Sequence, residues 1–184
     1  MTTTRAKAAI ADLYHVRDDA NAEIVNGEVV LIGPTGSRPG RASFNIASSL
    51  RRNERPNNPG RAFADNVGFV VDLPNRNSFS PDAAWYIGNI DSVKFLEGAP
   101  VFAAEVRSEN DYGPDAEKRI REKRADYFAA GTSVVWDVDL LSEGVLNVYR
   151  ASEPNNPSIY RRGEIAETEP SVPGWTMAVD QLFE

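Results

Sequence analysis

The chain has 184 residues, 41% of them hydrophobic, which is enough for one domain with a sizeable core and too little for two. It contains no cysteine and a single histidine, His15, so disulfides, thiolate nucleophiles, Cys-ligated zinc and multi-histidine metal centres built by one chain are excluded. Its 27 acidic and 20 basic residues give a formal net charge of -7, which weighs against a uniformly basic nucleic-acid surface and directs attention to local basic clusters.

There is no apolar run long enough to span a bilayer and no signal-like hydrophobic segment at the N-terminus, so a cytoplasmic protein is expected. Residues 1–20 are expected to form a helical extension of a single domain covering 1–184. Within it, residues 5–16 read as a short amphipathic helix with Ala8, Ile10, Leu13 and Tyr14 on its packed side, and His15 near its end as a surface residue. A hairpin follows over residues 23–32, signalled by Asn26-Gly27 between two apolar stretches. Glu23 and Glu28 read as hairpin edge residues. Residues 35–40 read as a loop and 41–52 as a helix, which the Pro- and Gly-rich stretch 56–60 terminates.

Residues 62–73 read as one largely buried strand and 74–78 as a turn. Residues 80–87 are the next strand, with Pro81 at its start, where a missing amide does least damage. After a loop over 91–100, residues 101–106 are a central strand. Glu105 is anomalous there, because an apolar run containing one carboxylate either exposes it at an edge or uses it. Pro114 and Gly131 bracket a helix on which Ala116, Ile120, Lys123, Tyr127 and Ala130 share one face, while Lys118, Arg121 and Arg124 point elsewhere. An ammonium on that face must meet a carboxylate or line a polar cleft, and Asp82 and Glu105 are the available partners. Residues 132–138 and 145–150 form an antiparallel pair of strands, 159–160 and 164–165 weaker edge strands, and the segment from Pro173 to Phe183 docks the C-terminus.

Asp82, Glu105 and Lys123 have the inventory of a metal-dependent phosphodiesterase: anionic oxygens to hold a hard cation and a positive group to orient water or stabilise charge. Asp82 could equally cap its strand. Two local basic groups, Arg51, Arg52 and Arg55, and Lys118 through Arg124, stand out, although each alone reads more simply as a solvated helix face; Arg51, Arg52, Arg119 and Arg124 are the candidate backbone contacts.

The series Glu-Ile-Val-Asn-Gly-Glu-Val-Val from Glu23, Pro81-Asp82, Ala104-Glu105-Val106-Arg107-Ser108, Glu122-Lys123-Arg124-Ala125-Asp126-Tyr127, Trp136-Asp137-Val138-Asp139 and the terminal Pro-Gly-Trp-Thr-Met-Ala-Val-Asp-Gln-Leu-Phe resembles the Uma-two restriction endonuclease family of the PD-(D/E)XK nuclease superfamily. The resemblance implies an α/β fold, with a restriction-endonuclease-like mixed central β-sheet flanked by helices. It implies Asp82 and Glu105 as metal-binding acids, helped by the Val106 carbonyl, with Mg as cofactor and Mn as substitute. It further implies Lys123 as the helical lysine replacing the one that many relatives carry two residues after the second acid. Arg107 stands at that position here, and its fixed charge suits it poorly to a titrating role. DNA as substrate and a homodimer belong to the same implication. Pro39 stands where family members often carry a loop histidine. Two other readings remain open at this level. A catalytically inactive nuclease-fold module for binding or assembly fits the acidic balance and that missing histidine. A carboxylate glycosidase would use both acids but gives Lys123 no reason to face inward.

Overall fold

The computed structural model of the protein describes residues 7–16, 21–143 and 145–184. In chain order, a short helix α1 (Ile10–Leu13) and a hairpin of β1 (Asn21–Val25) and β2 (Glu28–Ile32) lead to the long helix α2 (Ser37–Arg52). Strands β3 (Gly60–Ala64), β4 (Phe69–Leu73), β5 (Arg76–Phe79), β6 (Ala83–Ile87), β7 (Leu96–Glu97) and β8 (Phe102–Val106) follow. Helix α3 (Pro114–Ala129) then precedes β9 (Val134–Val138), β10 (Leu146–Arg150), β11 (Glu153–Tyr160), β12 (Ile165–Glu167), β13 (Thr176–Ala178) and a closing 3-10 helix (Val179–Phe183).

Six strands in the order β11-β10-β9-β8-β6-β3 make the main sheet. Its neighbours are antiparallel except β8 and β9, which run parallel and are joined through α3, as a parallel pair requires a crossover. A five-stranded sheet in the order β2-β1-β5-β4-β7 packs against one face of it, and β12 pairs with β13. The fold is thus mixed α/β, as expected.

Period-two alternation along the main strands sorts side chains into two cores. Ala83, Trp85, Phe102, Ala104, Val106, Val134, Trp136 and Val138 face α2 and the C-terminal segment, where Ile46, Leu50, Trp175 and Leu182 close over them. Ala84, Tyr86, Ala103 and Val135 face the opposite way, toward Phe69 and Phe79 of the smaller sheet and Tyr127 of α3. Each fully buried aromatic or aliphatic side chain contributes roughly 1.5–3 kcal/mol. Parity therefore decides where Glu105 and Asp137 look: they sit on the second face, under α3.

Several boundaries differ from the sequence reading. Among the described residues near the N-terminus only Ile10–Leu13 is helical; the Ala8 amide bonds the Gly27 carbonyl at 2.8 Å, which seats residues 7–9 beside the hairpin turn. Residues 1–6 and 17–20 of the expected extension lie outside the described residues. The hairpin is as expected, with Asn26 and Gly27 both at positive φ. Helix α2 begins at Ser37, not 41, because Pro39 falls in its first turn, where no amide is needed. Residues 62–73 are not one strand: Asp65 and Asn66 turn the chain, Asn66 adopting φ 70, and β3 and β4 enter different sheets. The expected turn at 74–78 shrinks to residues 74–75, so Arg76 and Ser78 are strand residues with buried side chains.

Candidate active site

Asp82 immediately precedes β6. Its amide donates to the Ala104 carbonyl at 3.1 Å, and its own carbonyl accepts the Ser43 hydroxyl of α2 at 2.7 Å. These bonds fix the backbone so that Oδ2 accepts the Val106 amide at 2.6 Å. The Arg107 amide turns the other way, to Val138 of β9. In a strand the amide and carbonyl of one residue face the same neighbour, so the Val106 carbonyl faces the Asp82 side too.

Glu105 lies one residue before Val106 and under α3. Lys123 Nζ is 2.9 Å from its Oε2, and the Tyr127 hydroxyl donates to its Oε1 at 2.6 Å. Lys123 and Tyr127 stand one helical turn apart, so one carboxylate takes both, and the Tyr127 ring stacks on Phe79 with 4.0 Å between centroids. The same ammonium lies 2.9 Å from Glu23 Oε1 of β1. Glu23 in turn takes Arg76 at 2.5 Å and the Ser80 amide at 2.9 Å, and Arg76 also donates to Asp126 of α3 at 2.8 Å.

Glu23 is 5% exposed, so the reading of it as a hairpin edge residue is corrected. It, Arg76 and Asp126 were missed because β1, β5 and α3 meet only through tertiary packing; Asp126 alone was open to the helical wheel, three residues from Lys123. Arg124 is also corrected. It is 9% exposed, stacks over the Tyr149 ring at 3.6 Å and lies 3.9 Å from Asp137, so it does not point outward as a backbone contact. Arg107 is committed to Asp137, at 2.7 and 2.8 Å, and to Glu117. Arg51 pairs with Glu54 and is exposed, whereas Arg119 lines the cleft itself.

That cleft, of about 1110 Å³, is lined by Asp82, Glu105 and Lys123 among others, including Val30 and Leu31 of β2 and Ile120 of α3. Burial, then the charge of Glu105, pushes the Asp82 carboxyl up to about 7 despite the Val106 amide. Burial also raises Glu105, and Lys123 only partly offsets it. For Lys123 burial works against the charged form, but Glu105 and Glu23 outweigh it and raise its pKa. Glu23 is held below the usual carboxylate range because Lys123 and Arg76 outweigh its burial.

Glu23, Glu105, Asp126 and Asp82 set four carboxylates against two cations, Arg76 and Lys123. With all four ionised the formal surplus would be two negative charges, and the raised Asp82 and Glu105 carboxyls are the pair that a divalent cation would relieve. Among the described residues no group of three or more His, Cys, Asp or Glu side chains is arranged to hold a metal.

The mixed sheet thus carries two acids at adjacent central strands, Asp82 just before β6 and Glu105 in β8, with a helix-borne lysine 2.9 Å from Glu105. The chain belongs to the Uma2 family, described as "Putative restriction endonuclease", whose model matches residues 9–180. It is similar in structure to a crystallised protein from Anabaena variabilis, described as "a putative nuclease belonging to DUF820". The TM-score is 0.74 and the identity 14%, with 96% of this chain and 97% of that chain covered. Likeness at that identity establishes the fold. No curated protein matches the chain.

Proposed function

We propose that the protein is a divalent-metal-dependent endonuclease that hydrolyses phosphodiester bonds in DNA. The observation that carries this reading is the shared position of Lys123 and the two acids: an ammonium 2.9 Å from Glu105, beside an Asp82 carboxyl that burial and Glu105 raise to about 7. Asp82, Glu105 and the Val106 carbonyl would hold Mg²⁺, or Mn²⁺ in its place. The bound ion supplies charge neutralisation at the scissile phosphate and a more acidic water. Lys123 does not act as a base, since its raised pKa keeps it protonated; it holds positive charge where negative charge develops on the phosphate and hydrogen-bonds the incoming water. Tyr127 keeps Glu105 oriented by donating to the oxygen that Lys123 does not use. Arg119, on the cleft wall, would contact the DNA backbone, whereas Arg51 and Arg52 are exposed on α2 and do not line the cleft. One such group cuts one strand, so cleavage of both strands calls for two copies acting together, and the homodimer belongs to this reading.

Calorimetric titration with MgCl₂ tests it. The parent is expected to bind the ion, and Asp82→Asn to lose that binding while remaining folded. A parent that gives no binding heat with Mg²⁺ or Mn²⁺ is a nuclease-fold binding module instead.

A further inference from the structure

Glu23 has no part in holding the cation or the phosphate in the reading above, yet three donors converge on it: Lys123 Nζ at 2.9 Å, Arg76 at 2.5 Å and the Ser80 amide at 2.9 Å. Its side chain is 6% exposed, against 26% for Glu105, which opens on the cleft. The contacts close a ring through three elements. Glu23 of β1 holds Arg76 of β5, Arg76 holds Asp126 of α3, and Lys123, three residues back on the same helix, returns to Glu23.

A lysine stem is long and rich in rotamers, so an ammonium at the edge of an open cleft stays in one place only if something holds it there. Glu105 is a poor sole anchor, because the reading above gives it a cation to hold as well. Glu23 meets only donors and is free to hold Lys123 throughout. Resting on that role for Lys123, we infer that Glu23 is a positioning residue that fixes the Lys123 ammonium over Glu105, and that Arg76 and Ser80 fix Glu23 in turn. The smaller sheet thereby takes part in the chemistry of the main one without lending it a ligand.

Glu23→Gln keeps the shape and an oxygen for the Ser80 amide while removing the charge. The first readout needs neither metal nor DNA: competitive acetylation of the folded protein, with the exposed Lys118 as internal standard, followed by mass spectrometry. Glu23→Gln is expected to raise Lys123 labelling relative to Lys118 by about tenfold, as the amine is released from one of its two anchors. The second is kinetic. In the parent background the substitution is expected to lower kcat by about tenfold with KM for DNA unchanged, and in a Lys123→Met background to do nothing more, the non-additivity of residues acting through one another. Should Glu23→Gln not fold, the charge-balanced Glu23→Gln/Arg76→Gln is labelled in the same way, with the same rise expected. Unchanged labelling of Lys123 in the variant that folds overturns the inference. A parent that cleaves no DNA overturns the proposed function, and the labelling ratio still decides the role of Glu23.

Discussion

Lys123 and Asp82 are opposite cases of what burial does to a charged group. Burial penalises both charged forms, but Lys123 has two carboxylates within 2.9 Å, whereas Asp82 has one amide and a neighbouring negative charge. Lys123 therefore stays charged and Asp82 resists ionising until about pH 7. The consequence for the metal-free protein has a definite sign. Between the carboxyl's ordinary pKa of 3.8 and about 7, the folded state binds more protons at Asp82 than the unfolded state, so stability from this group falls as pH rises through that window. Asp82→Asn removes the effect. In thermal or urea unfolding without metal, the variant is expected to gain on the parent by roughly 1–3 kcal/mol between pH 5 and pH 8, the lower part of what such a shift allows once residual solvation is counted. A stability difference that does not change with pH would contradict it. At this scale the sequence was readable where a polar residue interrupts an apolar pattern, as Glu105 and Lys123 do. Glu23 interrupts nothing conspicuous in Glu-Ile-Val, and its partners Arg76 and Lys123 lie far along the chain, so its role was not legible.

Elements were legible where periodicity and punctuation agreed. Helix α3 starts at Pro114, stops before Gly131 and turns Lys123 and Tyr127 to Glu105, all visible in the spacing. Residues 62–73 failed because Asp65-Asn66 is a weak break inside a continuous apolar run, and a period-two pattern is blind to a change of sheet. The break matters, since it places β3 beside β6 and lets β4 and β5 build the second sheet that carries Arg76. Strand β3 enters the main sheet at Gly60, opposite Ile87, where a Cβ would lie 1.9 Å from Trp85 Nε1. Trp85 is fully buried between β3 and α2, so it has no room to retreat. Gly60→Ala is expected to cost about 2–3 kcal/mol or more by overpacking, read as a lowered urea midpoint with an unchanged slope. A midpoint equal to the parent's would mean that Trp85 repacks freely.

For the whole molecule, two cores on the faces of one mixed sheet leave buried charges at the junction of β1, β5, β6, β8 and α3, beside the Arg107, Asp137 and Arg124 cluster at β9. The fold class was legible from the order of elements and from the motifs shared with the family, while the smaller sheet and the network it contributes were not, because they depend on register between distant strands. The proposed cleavage of DNA through Asp82, Glu105 and Lys123 is tested by the rate at which the parent, Lys123→Met and Lys118→Met cut plasmid DNA with Mg²⁺. Methionine keeps most of the lysine stem's packing and removes the charge. Lys123→Met is expected to stay folded and lose on the order of a hundredfold or more in rate, the scale of one preorganised charge-stabilising group, while Lys118→Met, on the exposed side of α3, cleaves like the parent. Equal cleavage by the two variants would remove Lys123 from the chemistry and contradict the assignment of the site.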